Sequence, residues 1–149
     1  MRLPIVVSLI LLLIVWGSLS HGKIERAAAV HDPGSAEPFR GSEVGNTLTR
    51  ACGNCHSNQT HLPWYGRVPP ISWWIQRHVY EARKRLNFSD WRSYSPRERQ
   101  DKLQSICGVI VTGSMPPSSY TAMHPEAKLK VEETDAVCDW TTMEIERDK

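Results

Sequence analysis

Residues 50–66 read RACGNCHSNQTHLPWYG, and the CGNCH cluster inside this run constrains the fold more than any other stretch of the chain. Two cysteines three positions apart, with a histidine directly after the second, bring two thiols and an imidazole to one point. Three chemistries use such a cluster: attachment of haem, half of a zinc site, or a thiol redox pair. Each demands different surroundings, so the rest of the chain has to choose among them.

A thioredoxin-like pair belongs at a strand-to-helix junction of a βαβ unit, and no strand pattern precedes Cys52. Zinc requires two further ligands. Cys107 and Cys138 are the remaining cysteines, but they are far apart, each falls within a helical pattern, and they form no second close pair. A purely structural bridge between Cys52 and Cys55 would be strained and leaves His56 without a purpose. Haem attachment uses all three side chains: the thiols of Cys52 and Cys55 add to the two vinyl groups of one porphyrin edge, and His56 binds the iron from the proximal side.

The start of the chain points to export. Met1 and Arg2 are followed by LPIVVSLILLLIVWGSL, an uncharged apolar run ending in small residues at Ser18-Leu19-Ser20. Residues 1–20 are expected to be a signal peptide or, because the run approaches the roughly 18 to 20 residues that span a bilayer, an N-terminal membrane anchor through residues 3–19. Residues 21–41 mix Ala, Pro, Gly, Ser and charges without a sustained apolar period and read as a linker or irregular arm. The folded domain is expected over residues 42–149, small enough that a bound cofactor would contribute to its stability. The formal net charge of +2 for 149 residues gives no reason to expect nucleic acid as a partner.

Strand signals are scarce, whereas four segments carry helical signals. The first runs from Ser42 to Cys52, with Val44, Leu48 and Cys52 spaced by four. The second follows Pro69-Pro70 and covers residues 71–87, with Ile71, Trp74, Ile75, His78, Val79, Ala82 and Leu86 predicted to share a buried face. The third opens at Ser95-Pro96-Arg97-Glu98, a cap with proline at the first helical position and a glutamate that returns the hydrogen bond. Its predicted stripe is Leu103, Ile106, Cys107, Ile110 and Val111, and Gly113 ends it. The fourth covers residues 131–145, with Val137 and Trp140 facing inward. Between the last two lies TGSMPPSSYTAMHPEAKL, a loop long enough to suggest a function of its own.

The blocks CGNCHSNQTHLPWYGRVPPISWWIQRHVYEARKRLNFSDW, YSP and GSMPPSSYTAMHPEAKL, taken in order, resemble the bacterial haem-binding domain family of exported cytochrome c-like proteins, over residues 43–140. The resemblance implies an all-α, cytochrome c-like domain carrying one covalent haem c through Cys52 and Cys55, with His56 as proximal ligand. It implies no particular reaction or partner. Cys107 and Cys138 depart from the family pattern; in an oxidising compartment a disulfide between them and a pair of free buried thiols are both compatible with their positions.

For the far side of the iron, Met115 is the leading candidate. It lies in Gly113-Ser114-Met115-Pro116-Pro117, where prolines stiffen the loop and a thioether can complete His/Met ligation. His78 is the rival, while Met123, His124 and His61 trail behind; packing alone would also account for any of them. Trp64, Tyr65, Trp73, Trp74, Trp91 and Tyr120 are expected around the ring, and Arg67 and Arg77 near its propionates. The chain thus reads as an exported monohaem cytochrome that passes single electrons to redox partner proteins, in the periplasm or at the outer face of the cytoplasmic membrane, without catalysing a reaction. A haem enzyme or gas sensor with an open distal site is the alternative, and thiol-disulfide exchange the second alternative.

Overall fold

The computed structural model describes residues 4–13, 15–16 and 41–148. The remaining residues, among them most of the expected linker and the end of the expected signal segment, lie outside the described residues. Residues 4–13 and 15–16 are helical and exposed. No described helix is long and apolar enough to cross a membrane.

From residue 41 onward the described chain is all-helical. Its main elements are α1 (Glu43–Ala51), α2 (Gly53–His56), α3 (Ile71–Arg85), α4 (Pro96–Val111), α5 (Ser118–Met123) and α6 (Val131–Arg147). Three 3₁₀ turns, Trp64–Arg67, Phe88–Ser93 and Pro125–Ala127, fill the connections. The four predicted helices are α1, α3, α4 and α6; the short pieces between them are too brief for a periodic signal.

Caps fix where the helices begin and end. Ser42 accepts a hydrogen bond from the Gly45 amide and starts α1. At α4, Ser95 Oγ accepts from the Glu98 amide while the Glu98 carboxylate accepts from the Ser95 amide, which satisfies two donors that the helix start would otherwise leave open. Gly113 closes α4 with φ of +67°, a left-handed conformation that costs glycine little. Its amide bonds to the Ile110 carbonyl and the Ser114 amide bonds back to Val109, so the chain reverses sharply over the end of the helix.

The core is built from Leu48, Phe88, Trp91, Leu103, Ile106, Ile110 and Val137. Leu103, Ile106 and Ile110 sit at helical spacing on one face of α4, which packs chiefly on α6. Val111, predicted to join that stripe, is exposed at the last residue of α4, next to the buried Ile110. A disulfide between Cys107 and Cys138 joins the two helices across this contact.

The second correction concerns α3. Ile71 and Trp74 are exposed, and so is the ring of His78, although Val79 is buried on the same helix. α3 packs against the single turn Gly53–His56 and the 3₁₀ turn at Trp64–Arg67, and in its first turn Ser72 is buried while Ile71 and Trp74 are not. Apolar spacing had marked a face of the helix without telling how much of that face has a neighbour.

Removing the disulfide by Cys107→Ser with Cys138→Ser should lower stability by about 3 kcal/mol, because the bridge closes a loop of some 31 residues and its loss frees the unfolded chain. Thermal melts of the variant and of the reduced parent should shift down together; an unchanged melt in the variant contradicts the assignment of a stabilising role.

Candidate functional site

The chain of α1 ends at Cys52, whose amide still bonds to the Leu48 carbonyl, and restarts at once as the single turn α2. Within that turn the amides of Cys55 and His56 both reach the Cys52 carbonyl, at 3.2 and 3.0 Å. Positions i, i+3 and i+4 of a helical turn share a face. Cys52, Cys55 and His56 are therefore presented together, and all three line a cavity of about 400 Å³.

Its other walls come from distant parts of the sequence. The inner face of α3 contributes His78, Ala82 and Leu86, the face of α4 contributes Ile106, Val109 and Ile110, and Phe88 closes the base. Met115, Pro116 and Pro117 line it from the loop that the Gly113 reversal turns back, and Tyr120 from α5. Most of the lining surface is apolar, while Arg85, Glu98, Asp101, Lys102 and Ser105 add polar and charged groups to it.

His56 is oriented by the end of α3. Leu86 leaves the helix with an extended conformation, φ −151° and ψ 124°, so its carbonyl is released from the helical ladder. His56 Nδ1 lies 3.0 Å from that oxygen. A carbonyl only accepts, so Nδ1 carries the proton and Nε2 keeps its lone pair, the arrangement in which an imidazole binds a metal. Burial holds the ring below its ordinary protonation range, against the pull of the Leu86 carbonyl. The sequence reading carried α3 to residue 87, whereas the helix ends at Arg85.

A second set of contacts holds the segment after the motif. Arg83 donates from Nε to the Ser57 carbonyl at 2.9 Å and from Nη2 to Thr60 Oγ1 at 2.7 Å. The Asn87 amide group donates to Asn58 Oδ1 at 2.9 Å. Thr60 in turn donates to the Asn54 carbonyl, within CGNCH itself. None of these partners was singled out in the sequence, since a polar residue on a helical face looks the same whether it meets water or a carbonyl.

Burial, with Cys55 nearby, pushes Cys52 up to about 12, and burial also raises Cys55 above its ordinary value. Both are thus protonated at neutral pH, whereas thiol-disulfide chemistry runs through an accessible thiolate. Nor do the described residues hold a group of three or more His, Cys, Asp or Glu arranged for a metal ion.

Met115 and His78, the two candidates for the far ligand, both line the cavity. His78 Nδ1 donates to the Trp74 carbonyl at 2.8 Å, and its ring lies 4.0 Å from that of Trp74. His124 and Met123 do not line it. His124 instead sits between Tyr65 Oη at 2.7 Å and a Glu126 carboxylate oxygen at 3.0 Å. His61 is exposed. Of the six aromatic residues expected around a ring, only Tyr120 lines the cavity; Trp91 is core, and Trp64, Tyr65, Trp73 and Trp74 lie elsewhere. Arg67 and Arg77 are exposed away from the lining, where Arg85 and Lys102 stand in their place.

Two thiols and an oriented imidazole line one largely apolar cavity in an all-helical domain, together with Met115 and His78, and the residues present fit a haem. The family model of the haem-binding domain matches residues 11–143, and the chain belongs to this family. The match begins well upstream of Glu43, where the resemblance in the sequence started. No curated protein and no solved structure matches the chain.

The depressed His56 sets a direction for pH dependence in the haem-free chain. The unfolded imidazole takes a proton near its ordinary 6.5 while the folded one resists it. Its contribution to stability is present above that value and is lost as pH falls below it toward the folded value. Denaturant midpoints measured from pH 8 down to pH 5 should fall more in the parent than in His56→Gln.

Proposed function

We propose that this protein is an exported c-type cytochrome that holds one haem covalently and passes single electrons. The observation that carries the reading is the placement of Cys52, Cys55 and His56 on one helical turn against one wall of an apolar cavity whose lining also includes Met115. Cys52 and Cys55 would each add S–H across a vinyl group, forming one C–S bond and one C–H bond with no oxidant required. Protonated thiols at neutral pH suit that addition better than they suit exchange with a disulfide.

When bound, haem supplies an iron centre that gains and loses one electron. The chain's own residues do the rest. His56 offers Nε2, and the hydrogen bond from Nδ1 to Leu86 keeps the ring turned and strengthens it as a ligand. Met115 as second ligand would raise the potential relative to an imidazole. Ile106, Val109, Ile110 and Phe88 exclude water from the ring. No side chain is asked to move a proton. The apolar segment at residues 3–19 supports work in the periplasm or at the outer face of the cytoplasmic membrane, with redox partner proteins as the other half of the transfer.

A second reading draws on His78. Its Nδ1 donates to a carbonyl, so Nε2 is available beside the cavity, either as a ligand in place of Met115 or as a hydrogen-bonding group over an open iron site. The latter would make the protein a haem enzyme or gas sensor.

Produced with its leader in a host that matures c-type cytochromes, the protein should keep its haem through denaturation, and Cys52→Ala with Cys55→Ala should release it. Loss of colour from the denatured parent overturns covalent attachment. In spectra of the oxidised protein, a Met-to-iron charge-transfer band should be present, vanish in Met115→Ala and survive in His78→Ala. Free binding of carbon monoxide by the reduced parent, unchanged in Met115→Ala, would instead favour the open site.

A further inference from the structure

Only two tryptophans in the described residues 41–148 are exposed, Trp64 at 77% and Trp74 at 56%. Each begins a short series of ring contacts that ends on a residue lining the cavity. Trp74 lies 4.0 Å from His78, and His78 lines the cavity. Trp64 meets Tyr65 edge-on at 5.8 Å, Tyr65 hydrogen-bonds His124 at 2.7 Å, and His124 stacks at 4.5 Å on Tyr120, which also lines the cavity.

The two tryptophans stand on abutting elements, the 3₁₀ turn at Trp64–Arg67 and the start of α3. Between and beside them Val68 and Ile71 are exposed, as are Arg67 and Arg77. The sequence from residue 44 to residue 80 contains no aspartate or glutamate at all. Arg50, the other arginine of that stretch, is paired with Glu133, whereas Arg67 and Arg77 make no ion pair with any described residue. Exposed tryptophan with arginine is the composition of a protein interface core rather than of ordinary surface.

We propose that Trp64, Trp74, Arg67 and Arg77 form the docking surface for a redox partner protein that presents an acidic face, and that the two aromatic series connect this surface to the cavity. The inference rests on the electron-carrier reading above. Arg67 and Arg77 supply the free positive charge here, since Glu81, one turn after Arg77, is paired with Lys84 and Glu126 with His124; that charge would steer such a partner and orient it. The tryptophans would then be buried against it at the points where the intervening distance to the cavity is filled by packed rings instead of water. One electron crosses per encounter: the partner loses it and this chain gains it, or the reverse. No bond is made or broken and no proton moves. An anionic lipid surface is the competing occupant, but it gives no reason for both tryptophans to be joined to the cavity wall.

The test uses the full chain, with haem and without, on a gold surface coated with a carboxylate-terminated monolayer as the acidic probe. Adsorbed mass is read for both forms and interfacial electron-transfer rate for the loaded one. Both forms should adsorb at low salt, and Arg67→Glu with Arg77→Glu should cut adsorption at least tenfold. Trp64→Leu with Trp74→Leu should keep adsorption within twofold of the parent while slowing electron transfer severalfold.

Adsorption unchanged by the arginine reversals overturns the surface. An unchanged rate in the tryptophan variant overturns the aromatic connection. Arginine-dependent binding to phosphatidylglycerol vesicles, with no arginine dependence on the monolayer, assigns the patch to lipid and also overturns the proposal. A parent that adsorbs in an arginine-dependent manner yet exchanges no electron, adsorbed or dissolved, overturns the carrier reading beneath it; the mass signal tells that failure from the others.

Discussion

The hydrogen bond between His56 Nδ1 and the Leu86 carbonyl is the contact on which the site depends. The Leu86 carbonyl lies just past the last residue of α3, where carbonyls have no partner within the helix. The hydrogen bond acts on a turn in which Cys52, Cys55 and His56, at i, i+3 and i+4, share a face. It also fixes the tautomer, leaving Nε2 as a lone pair directed away from the backbone. A weaker orientation of this ring would leave the two thiols in place and the imidazole free to turn.

Around this contact the structure divides into a scaffold and a clamp. The scaffold is the packing of α4 on α6, with Leu103, Ile106, Ile110 and Val137 between them and the Cys107–Cys138 bridge across it. Ile106 and Ile110 belong to this packing and also line the cavity. The clamp comprises Arg83 and Asn87, which hold residues 57–60 against the end of α3. Partly burying an arginine beside the Cys55 thiol costs solvation, and that cost is offset because its donors meet a carbonyl and a hydroxyl at good distances.

The loop after α4 is tied to the motif side by three separate contacts. Asn54, an inner residue of CGNCH, donates to Tyr120 Oη at 3.0 Å. Tyr65 meets His124 at 2.7 Å. Arg50 donates to the Glu126 carbonyl and pairs with Glu133 on α6. Together they hold the segment that follows Met115 against the motif side, and Met115 itself lines the same cavity as Cys52, Cys55 and His56.

Much of this was legible in the sequence and the rest was not, for reasons that can be named residue by residue. The capping box at Ser95 and Glu98, the stop at Gly113 and the apolar spacing of Leu103, Ile106 and Ile110 are local signals, and helices obey them because backbone donors and apolar faces must be satisfied within a turn or two. The all-α class and the grouping of Cys52, Cys55 and His56 follow from the same short-range rules. What faces the motif is a matter of distant packing: that α3 releases Leu86, that Ile71 and Trp74 emerge at the surface, that Phe88 and Tyr120 line the cavity while Trp91 fills the core, and that Arg85 and Lys102 take the places expected of Arg67 and Arg77. Short-range chemistry thus determined the elements and one wall of the site, whereas the other walls depended on which elements meet, and spacing along a chain carries no measure of that.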